Sequence, residues 1–226
     1  MAKFDRWTVA ESVVGAGRGN TLLYGPPGTG KSYAAQSGGV NVFNVTITPD
    51  TPAAELRGHY HPRGGEFVWQ DGPVVRAMRE GSRLVLNEVD HAGGDVLSFL
   101  LAALDNPETC RVCLPSGETV RPAPGFHCVG TMNGQPEDLL PALRDRFAAA
   151  IEIEEPHPAA IDALPEDLRN AARGTVSAVG GDRITLRSWL AFASLRSTLG
   201  AETAAQGLFG ERWQAVLDSL TAATQE

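Results

Sequence analysis

The sequence predicts an α/β fold in which a five-stranded parallel sheet is covered by helices and followed by a small helical lid. Three observations support this prediction: apolar runs alternate with helical stretches, a glycine-rich loop follows the first run, and the composition changes near Pro156. Alternating strands and helices favour parallel strands joined by crossover helices. The runs that we interpret as buried strands are 20–24, 41–47, 83–87, 126–132 and 148–153.

Two intervals depart from this alternation. Residues 58–72 are rich in Gly, His and aromatic side chains, and residues 109–121 carry a Pro-Ser-Gly turn between two short strand-like runs. We interpret both as inserted β-hairpins. After Pro156, Ala, Leu, Arg and Glu recur at helical spacing, so we predict domains at 1–156 and 157–226, the second being a lid of three or four helices.

The composition is that of an ordinary globular protein. Of 226 residues 42% are hydrophobic, and a formal net charge of −8 argues against nonspecific nucleic-acid binding, so we expect a protein partner. No apolar stretch approaches the roughly 18 residues of a membrane span, and the charged N-terminus does not resemble a signal peptide, which predicts a cytoplasmic location. The pair Cys110 and Cys113 lacks the second pair that a zinc site needs.

A glycine-rich loop after the first predicted strand carries the clearest chemical signal. Its residues, which match the motif G-x-x-x-x-G-K-[ST], are Gly25, Pro26, Pro27, Gly28, Thr29, Gly30, Lys31 and Ser32. In such a loop the backbone N–H groups can turn toward phosphate oxygens, Lys31 can reach the β- and γ-phosphates, and the Ser32 hydroxyl can ligate Mg²⁺. The alternative is a Gly/Pro turn with an incidental lysine. We expect a nucleoside triphosphate and Mg²⁺.

Polar side chains also end two later strands. The apolar strand 83–87 delivers Asn87 and then Glu88 at its carboxyl end, where a Walker B motif holds the metal and activates water. Glu88 is therefore the predicted catalytic base and Asn87 a predicted metal ligand. Asn133 follows the next strand and could hold the same water. Alternatively, Glu88 caps the strand or pairs with Arg83, and Asn133 is only a turn residue.

The order of these segments resembles a known family. GPPGTGKS, LVLNEVD, FHCVGTMN and LPALRDRF follow one another as in the AAA+ ATPases, specifically the MoxR-like and dynein-related branch. The resemblance runs from about Thr8 to Leu199 and implies a P-loop NTPase core. It also implies that residues 51–73 contain the helix-2 insert and that 109–121 is the hairpin before sensor 1. Both inserts usually face the central pore of a ring.

The resemblance implies roles for further residues. By position Asn133 matches sensor 1, Arg146 the arginine finger and Arg187 sensor 2 of the lid. Arg144 could serve as the finger instead, and each arginine could be only a surface residue. Walker B normally has Asp where this chain has Asn87, which withholds a negative charge beside Mg²⁺. This departure bears on the turnover rate and not on nucleotide binding. The sequence predicts that Asn87→Asp lowers the Mg²⁺ requirement and raises turnover; the alternative is that the site is arranged around hydrogen bonds of the Asn87 amide, in which case turnover would fall.

The implied function is that of an AAA+ ATPase, with ATP and Mg²⁺ as cofactors, that forms a ring, usually a hexamer, and remodels a protein partner. The finger acts from a neighbouring subunit, so a monomer is expected to be nearly inactive. Resemblance to MoxR-like proteins implies a partner with a von Willebrand factor A domain. A nucleotide-gated binding module with weak or no hydrolysis is one alternative, which Asn87 favours. A GTP-using motor of restriction systems is another, although the chain has no N-K-x-D guanine motif.

Overall fold

The computed structural model describes residues 5–38, 41–176, 178 and 183–223. Contacts among them define two compact units. The first contains the described residues through Gly25 together with Ser32–Glu152, and the second contains Pro26–Lys31 together with the described residues from Ile153 onward. The glycine-rich loop thus belongs to the second unit by its contacts, although it follows a strand of the first. The predicted domain limits near Pro156 stay a prediction.

A five-stranded parallel sheet forms the centre of the first unit. The strands of the chain are β1 (Thr21–Tyr24), β2 (Val42–Thr46), β3 (Gly58–Arg63), β4 (Glu66–Asp71), β5 (Arg83–Asn87), β6 (Val112–Cys113), β7 (Thr119–Val120), β8 (His127–Thr131) and β9 (Ala149–Glu152). The sheet order is β2-β5-β8-β1-β9. This arrangement confirms the predicted fold class. Every residue of the central strands β5 and β8 is buried, because helices cover both faces of a parallel sheet.

Six helices surround this sheet and connect its strands within the described residues. They are α1 (Arg6–Ala16), α2 (Lys31–Gln36), α3 (Ala53–Arg57), α4 (Pro73–Glu80), α5 (Gly94–Ala103) and α6 (Pro141–Arg144). Register pairs Thr46 with Asn87 and Asn87 with Thr131. The carboxyl ends of β2, β5 and β8 therefore lie level with one another.

Both inserted intervals form antiparallel hairpins. Strands β3 and β4 pair over six residues each, and β6 and β7 pair over two. Arg79 of α4 links the two hairpins, since its Nε donates to Asp71 at 2.7 Å and its Nη1 and Nη2 donate to Glu118 at 2.6 and 2.8 Å. The side chain of Phe67, near the tip of the first hairpin, is 75% exposed.

A buried arginine holds the amino ends of the central strands. Arg83 Nε donates to His127 Nε2 at 3.0 Å, and its Nη2 donates to the Val14 carbonyl at 3.0 Å, near the end of α1. His127 Nδ1–H donates in turn to the Gly125 carbonyl at 2.8 Å. The imidazole is therefore neutral, with Nε2 as the acceptor. Burial and the neighbouring Arg83 charge lower the pKa of His127.

The second unit is helical around an aromatic centre. Its helices are α7 (Pro158–Asp162), α8 (Glu166–Val176), α9 (Leu186–Leu199), α10 (Ala201–Phe209) and α11 (Trp213–Ala223). The rings of Trp189, Phe192 and Phe209 contact one another with centroids 5.3–6.1 Å apart. The sequence predicted three or four helices, whereas five occur among the described residues, because Gly200 at φ 82° separates α9 from α10 and α7 is short. None of the helices described is long and apolar enough to cross a membrane.

Candidate active site

The glycine-rich loop is bonded through its carbonyl groups to later residues of the second unit. Three bonds do this: Arg183 Nη2 to Pro27 O at 2.8 Å, Leu186 N–H to Gly28 O at 3.4 Å, and His157 N–H to Thr29 O at 2.8 Å. The carbonyls are thereby occupied by protein donors. The N–H groups of the loop therefore face the side opposite to these donors.

Two glycines of the loop have no room for a side chain. Gly28 has φ 75°, and a Cβ there would lie 2.8 Å from the Thr185 side chain. Gly30 has φ 106°, and a Cβ there would lie 2.9 Å from the His157 Cβ. Left-handed backbone and close neighbours both require glycine at these positions. The motif glycines thus have a packing reason in this chain.

Lys31 and Ser32 begin the helix that follows the loop. Lys31 is 6% exposed, and its Nζ donates to the Pro26 carbonyl at 2.7 Å, so the ammonium lies within the loop. The Ser32 side chain is exposed. Their roles toward phosphate and Mg²⁺ stay predictions.

Asn87 connects three neighbouring strands through its amide. Its Nδ2 donates to Asn44 Oδ1 at 2.6 Å and, more weakly, to the Val45 carbonyl at 3.4 Å, both on β2. Its Oδ1 accepts from Thr131 Oγ1 of β8 at 3.1 Å. The residue is 7% exposed. An amide oxygen has two acceptor positions, and Thr131 uses one of them, so the role of Asn87 as a metal ligand stays a prediction. Asn44 was not singled out by sequence reasoning, although a polar residue within a largely apolar strand could have pointed to it.

Glu88 and Asn133 are brought together at the carboxyl edge of the sheet. Asn133 Nδ2 donates to both carboxylate oxygens of Glu88, at 2.8 and 2.9 Å. Glu88 has φ 55°, and among the described residues no other non-glycine has positive φ. Such a conformation costs about 1–2 kcal/mol and is common at functional sites. The alternative pairing of Glu88 with Arg83 is not found, because Arg83 donates to His127 and to carbonyls at helix ends.

Oxygen atoms dominate the groups that could hold a cation. The predicted ligands Ser32 and Asn87 offer a hydroxyl and an amide oxygen, which suit Mg²⁺. Among the described residues, side-chain atoms of Glu88, Asp90 and His91 also lie within 4.8 Å of one another. Glu88 and Asp90 are half-buried and His91 is exposed, and all three directly follow β5 at the carboxyl edge of the sheet.

The two candidate finger arginines differ in their partners. Arg146 is the more enclosed: its side chain is 26% exposed, and its Nε lies 3.3 Å from an Asp105 carboxylate oxygen. The Arg144 side chain is 44% exposed, and its Nη1 is 3.8 Å from Glu137. No motif in the sequence indicated that Asp105 would contact Arg146. The structure leaves the finger assignment as a prediction.

Arg187, the predicted sensor 2 residue, belongs to the second unit. It is the second residue of α9 and is exposed. Arg183, four residues earlier, bonds the loop instead and was not singled out by sequence reasoning. No motif marks it, since it follows a Gly-Gly-Asp stretch that reads as a loop.

The chain matches a described family of ATPase domains and several known proteins. Residues 20–147, more than half of the chain, match the AAA domain (dynein-related subfamily). Protein NorQ of Paracoccus denitrificans is 39% identical over 149 residues, which cover 61% of this chain and 53% of NorQ. Denitrification regulatory protein NirQ of Pseudomonas aeruginosa is 33% identical over 136 residues, which cover 57% of this chain and 52% of NirQ.

A crystal structure of NtrX from Brucella abortus in complex with ADP is similar with a TM-score of 0.57 and 17% identity, covering 84% of this chain and 48% of that one. At that identity the similarity shows the fold alone. The chain spans about half the length of the curated relatives named above. It belongs to the dynein-related, MoxR-like branch of the AAA+ ATPases, the family that the order of its motifs predicted.

Proposed function

We propose that this protein is an ATP-hydrolysing motor that assembles into a ring and remodels or activates a protein partner. One observation carries the proposal: the Glu88 carboxylate is bonded by the Asn133 amide at the carboxyl edge of a parallel sheet. Ligands of such sheets bind beyond the carboxyl ends of the strands. The same chain contains a complete phosphate loop directly after β1. A base and a phosphate loop are the parts that nucleotide hydrolysis requires.

In the proposed reaction, Glu88 accepts a proton from the water that attacks the γ-phosphate. The bond from the γ-phosphorus to the bridging oxygen breaks, and ADP leaves with the electron pair of that bond. A carboxylate suits this role because it orients the water and takes up its proton. Asn133 fixes the direction of the carboxylate. Arg146 of a neighbouring subunit and Arg187 stabilise the charge that develops on the phosphate oxygens.

ATP with Mg²⁺ is the cofactor that we propose. Lys31 and the loop N–H groups would bind the β- and γ-phosphates, and the Ser32 hydroxyl would ligate the metal. Bound Mg²⁺ neutralises negative charge on the phosphate oxygens. Asn87 would face the metal with its remaining acceptor position. The match to the dynein-related AAA family, whose members are ATPases, supports an adenine nucleotide.

We propose the ring and its protein partner from the resemblance to the family. A finger that acts in trans needs a neighbouring subunit, which supports a ring, and six subunits are usual in AAA+ proteins. NirQ is a denitrification regulatory protein, and by analogy we propose a regulatory role for this chain, exerted on a protein partner. A partner with a von Willebrand factor A domain is proposed from the resemblance to MoxR-like proteins, and a cytoplasmic location from the use of ATP.

Glu88→Gln tests the proposal in an assay of Mg²⁺-dependent ATP turnover. We expect this variant to bind ATP and to lose turnover, because an amide cannot accept the proton of the attacking water. Glu202→Gln, at an exposed glutamate of α10, is the matched control and should hydrolyse ATP at the wild-type rate. Hydrolysis at the wild-type rate by Glu88→Gln would show that the base is another group. Absence of turnover in assembled wild-type protein would refute the motor.

A second candidate function is a nucleotide-gated binding module with weak or no hydrolysis. The observation that favours it is the engagement of Asn87 by Asn44 and Thr131, which uses the Walker B position for hydrogen bonding between strands. Such a module would bind Mg·ATP and change its partner affinity without turnover. Competition between ATP and GTP for binding to the wild-type protein tests the GTP-using alternative.

A further inference from the structure

The bonds to the loop carbonyls determine which way its N–H groups face. In a trans peptide the C=O of one residue and the N–H of the next point in opposite directions. No cis peptide occurs among the described residues. Donors from the second unit hold the carbonyls of Pro27, Gly28 and Thr29. The N–H groups of Gly28, Thr29 and Gly30 must therefore face away from those donors, and these are groups that a phosphate loop offers to an anion.

Only one of the three donors is a side chain. Leu186 and His157 donate from the backbone, whereas Arg183 donates from its guanidinium to the Pro27 carbonyl at 2.8 Å. The Nε of Arg183 is buried and has no hydrogen-bond partner within the part of the chain that is described. Burial lowers the pKa of the guanidinium. Burying a charged group that is incompletely bonded is unfavourable, and such groups cluster at functional sites.

We propose that Arg183 is a positioning residue for the phosphate loop. It does not contact the nucleotide. It holds the Pro27 peptide, so that the Gly28 N–H is already aimed at the phosphate before the nucleotide arrives. Preorganised donors bind an anion more tightly because no free energy is spent on turning them. This inference rests on the proposed binding of a nucleotide, and it separates Arg183 from Arg187, whose predicted role is direct contact with phosphate.

Arg183→Met and Arg183→Lys separate the hydrogen bond from the packing of the side chain. Met keeps an unbranched apolar stem and removes the donor, whereas Lys keeps the positive charge and an ammonium group that can donate. Arg169→Met is the matched control, because Arg169 also donates to carbonyls of the second unit, at Leu164 (2.9 Å) and Asp162 (2.8 Å), outside the loop. The purified full chain is titrated with a fluorescent ADP analogue and Mg²⁺. The melting temperature is measured without nucleotide.

We expect Arg183→Met to raise the Kd for Mg·ADP about tenfold, the effect of losing one hydrogen bond from a charged donor. Arg183→Lys should raise it by less, and Arg169→Met should leave it unchanged. For ATP turnover the loss should lie in KM, with kcat within about twofold of wild type, since the groups that react are untouched. Equal melting temperatures of Arg183→Met and Arg169→Met exclude a general loss of structure.

An unchanged Kd in Arg183→Met, or equal losses in Arg183→Met and Arg169→Met, would overturn the proposal. Should Arg183→Met fail to fold, Arg183→Gln replaces it, and equal affinities of the Lys, Gln and wild-type proteins would overturn the proposal in the same way. Wild-type protein that does not bind Mg·ADP refutes the proposed function itself. Wild-type protein that binds without hydrolysis refutes the motor and leaves the test of Arg183 intact.

Discussion

Asn87→Asp is the substitution for which the structure and the sequence predict opposite effects on turnover. From the sequence alone, restoring the family carboxylate is expected to raise turnover. In the structure, however, the Asn87 amide both donates to Asn44 and Val45 and accepts from Thr131. A carboxylate at pH 7 can accept hydrogen bonds but cannot donate them. The substitution therefore places two acceptors face to face at the 2.6 Å contact with Asn44.

The free energy of unfolding should fall by about 1–3 kcal/mol, the range for leaving a buried polar group unpaired. Asn44 is exposed on the edge strand and can turn its amide to donate, which keeps the loss toward the lower end. The new carboxylate is also adjacent in sequence to Glu88, and like charges oppose each other. For a chain of this size the loss corresponds to a melting temperature about 2–12 °C lower.

Thermal unfolding with and without Mg²⁺, together with ATP turnover over a Mg²⁺ titration, measures both effects. We expect the melting temperature of Asn87→Asp to recover partly with Mg²⁺, which pairs with the added charge, and turnover to fall about tenfold. Asn106→Asp is the control, because Asn106 is exposed and its Oδ1 only accepts, from the Glu108 N–H. A higher melting temperature without Mg²⁺, or faster turnover than wild type, would refute this reasoning.

Two further predictions concern the finger and the buried histidine. Arg146→Ala should leave the ATP affinity of isolated subunits unchanged and lower the turnover of the assembled protein by about 10³-fold or more. Mixing Arg146→Ala subunits with Glu88→Gln subunits should restore part of the activity. If the mixture stays inactive and Arg144→Ala is inactive as well, the finger is Arg144. The folded pKa of His127 lies below its unfolded value of about 6.5, so the free energy of unfolding should be constant above that pH and decrease as the pH falls below it. Urea unfolding between about pH 5 and 8 measures this, and an equal pH dependence in His127→Gln would contradict the lowered pKa of the buried His127.

Parts of this fold and site could be predicted because they depend on local pattern. Continuous apolar runs identified the strands, since strands buried on both faces need apolar residues at every position. That Glu88 and Asn133 lie close together was foreseeable, because carboxyl ends of neighbouring parallel strands meet at one edge, but their direct hydrogen bond was not predicted. The roles of Asn44 and Arg183 were not predicted either. Asn44 matters only because β2 lies beside β5, and Arg183 bonds a carbonyl 156 positions away in sequence.

The residue type at position 87 is best explained by the hydrogen bonds that its side chain makes to the two neighbouring strands. Asn87 lies between the Asn44 side chain, to which its amide nitrogen donates, and the Thr131 hydroxyl, from which its amide oxygen accepts. An amide satisfies both at once. These bonds fix the end of β5 immediately before Glu88, whose φ of 55° must be held by its surroundings for the carboxylate to meet Asn133. An amide at position 87 thus holds the end of β5 in place before Glu88, which predicts that Asn87→Ala, although it adds no charge, lowers ATP turnover as well.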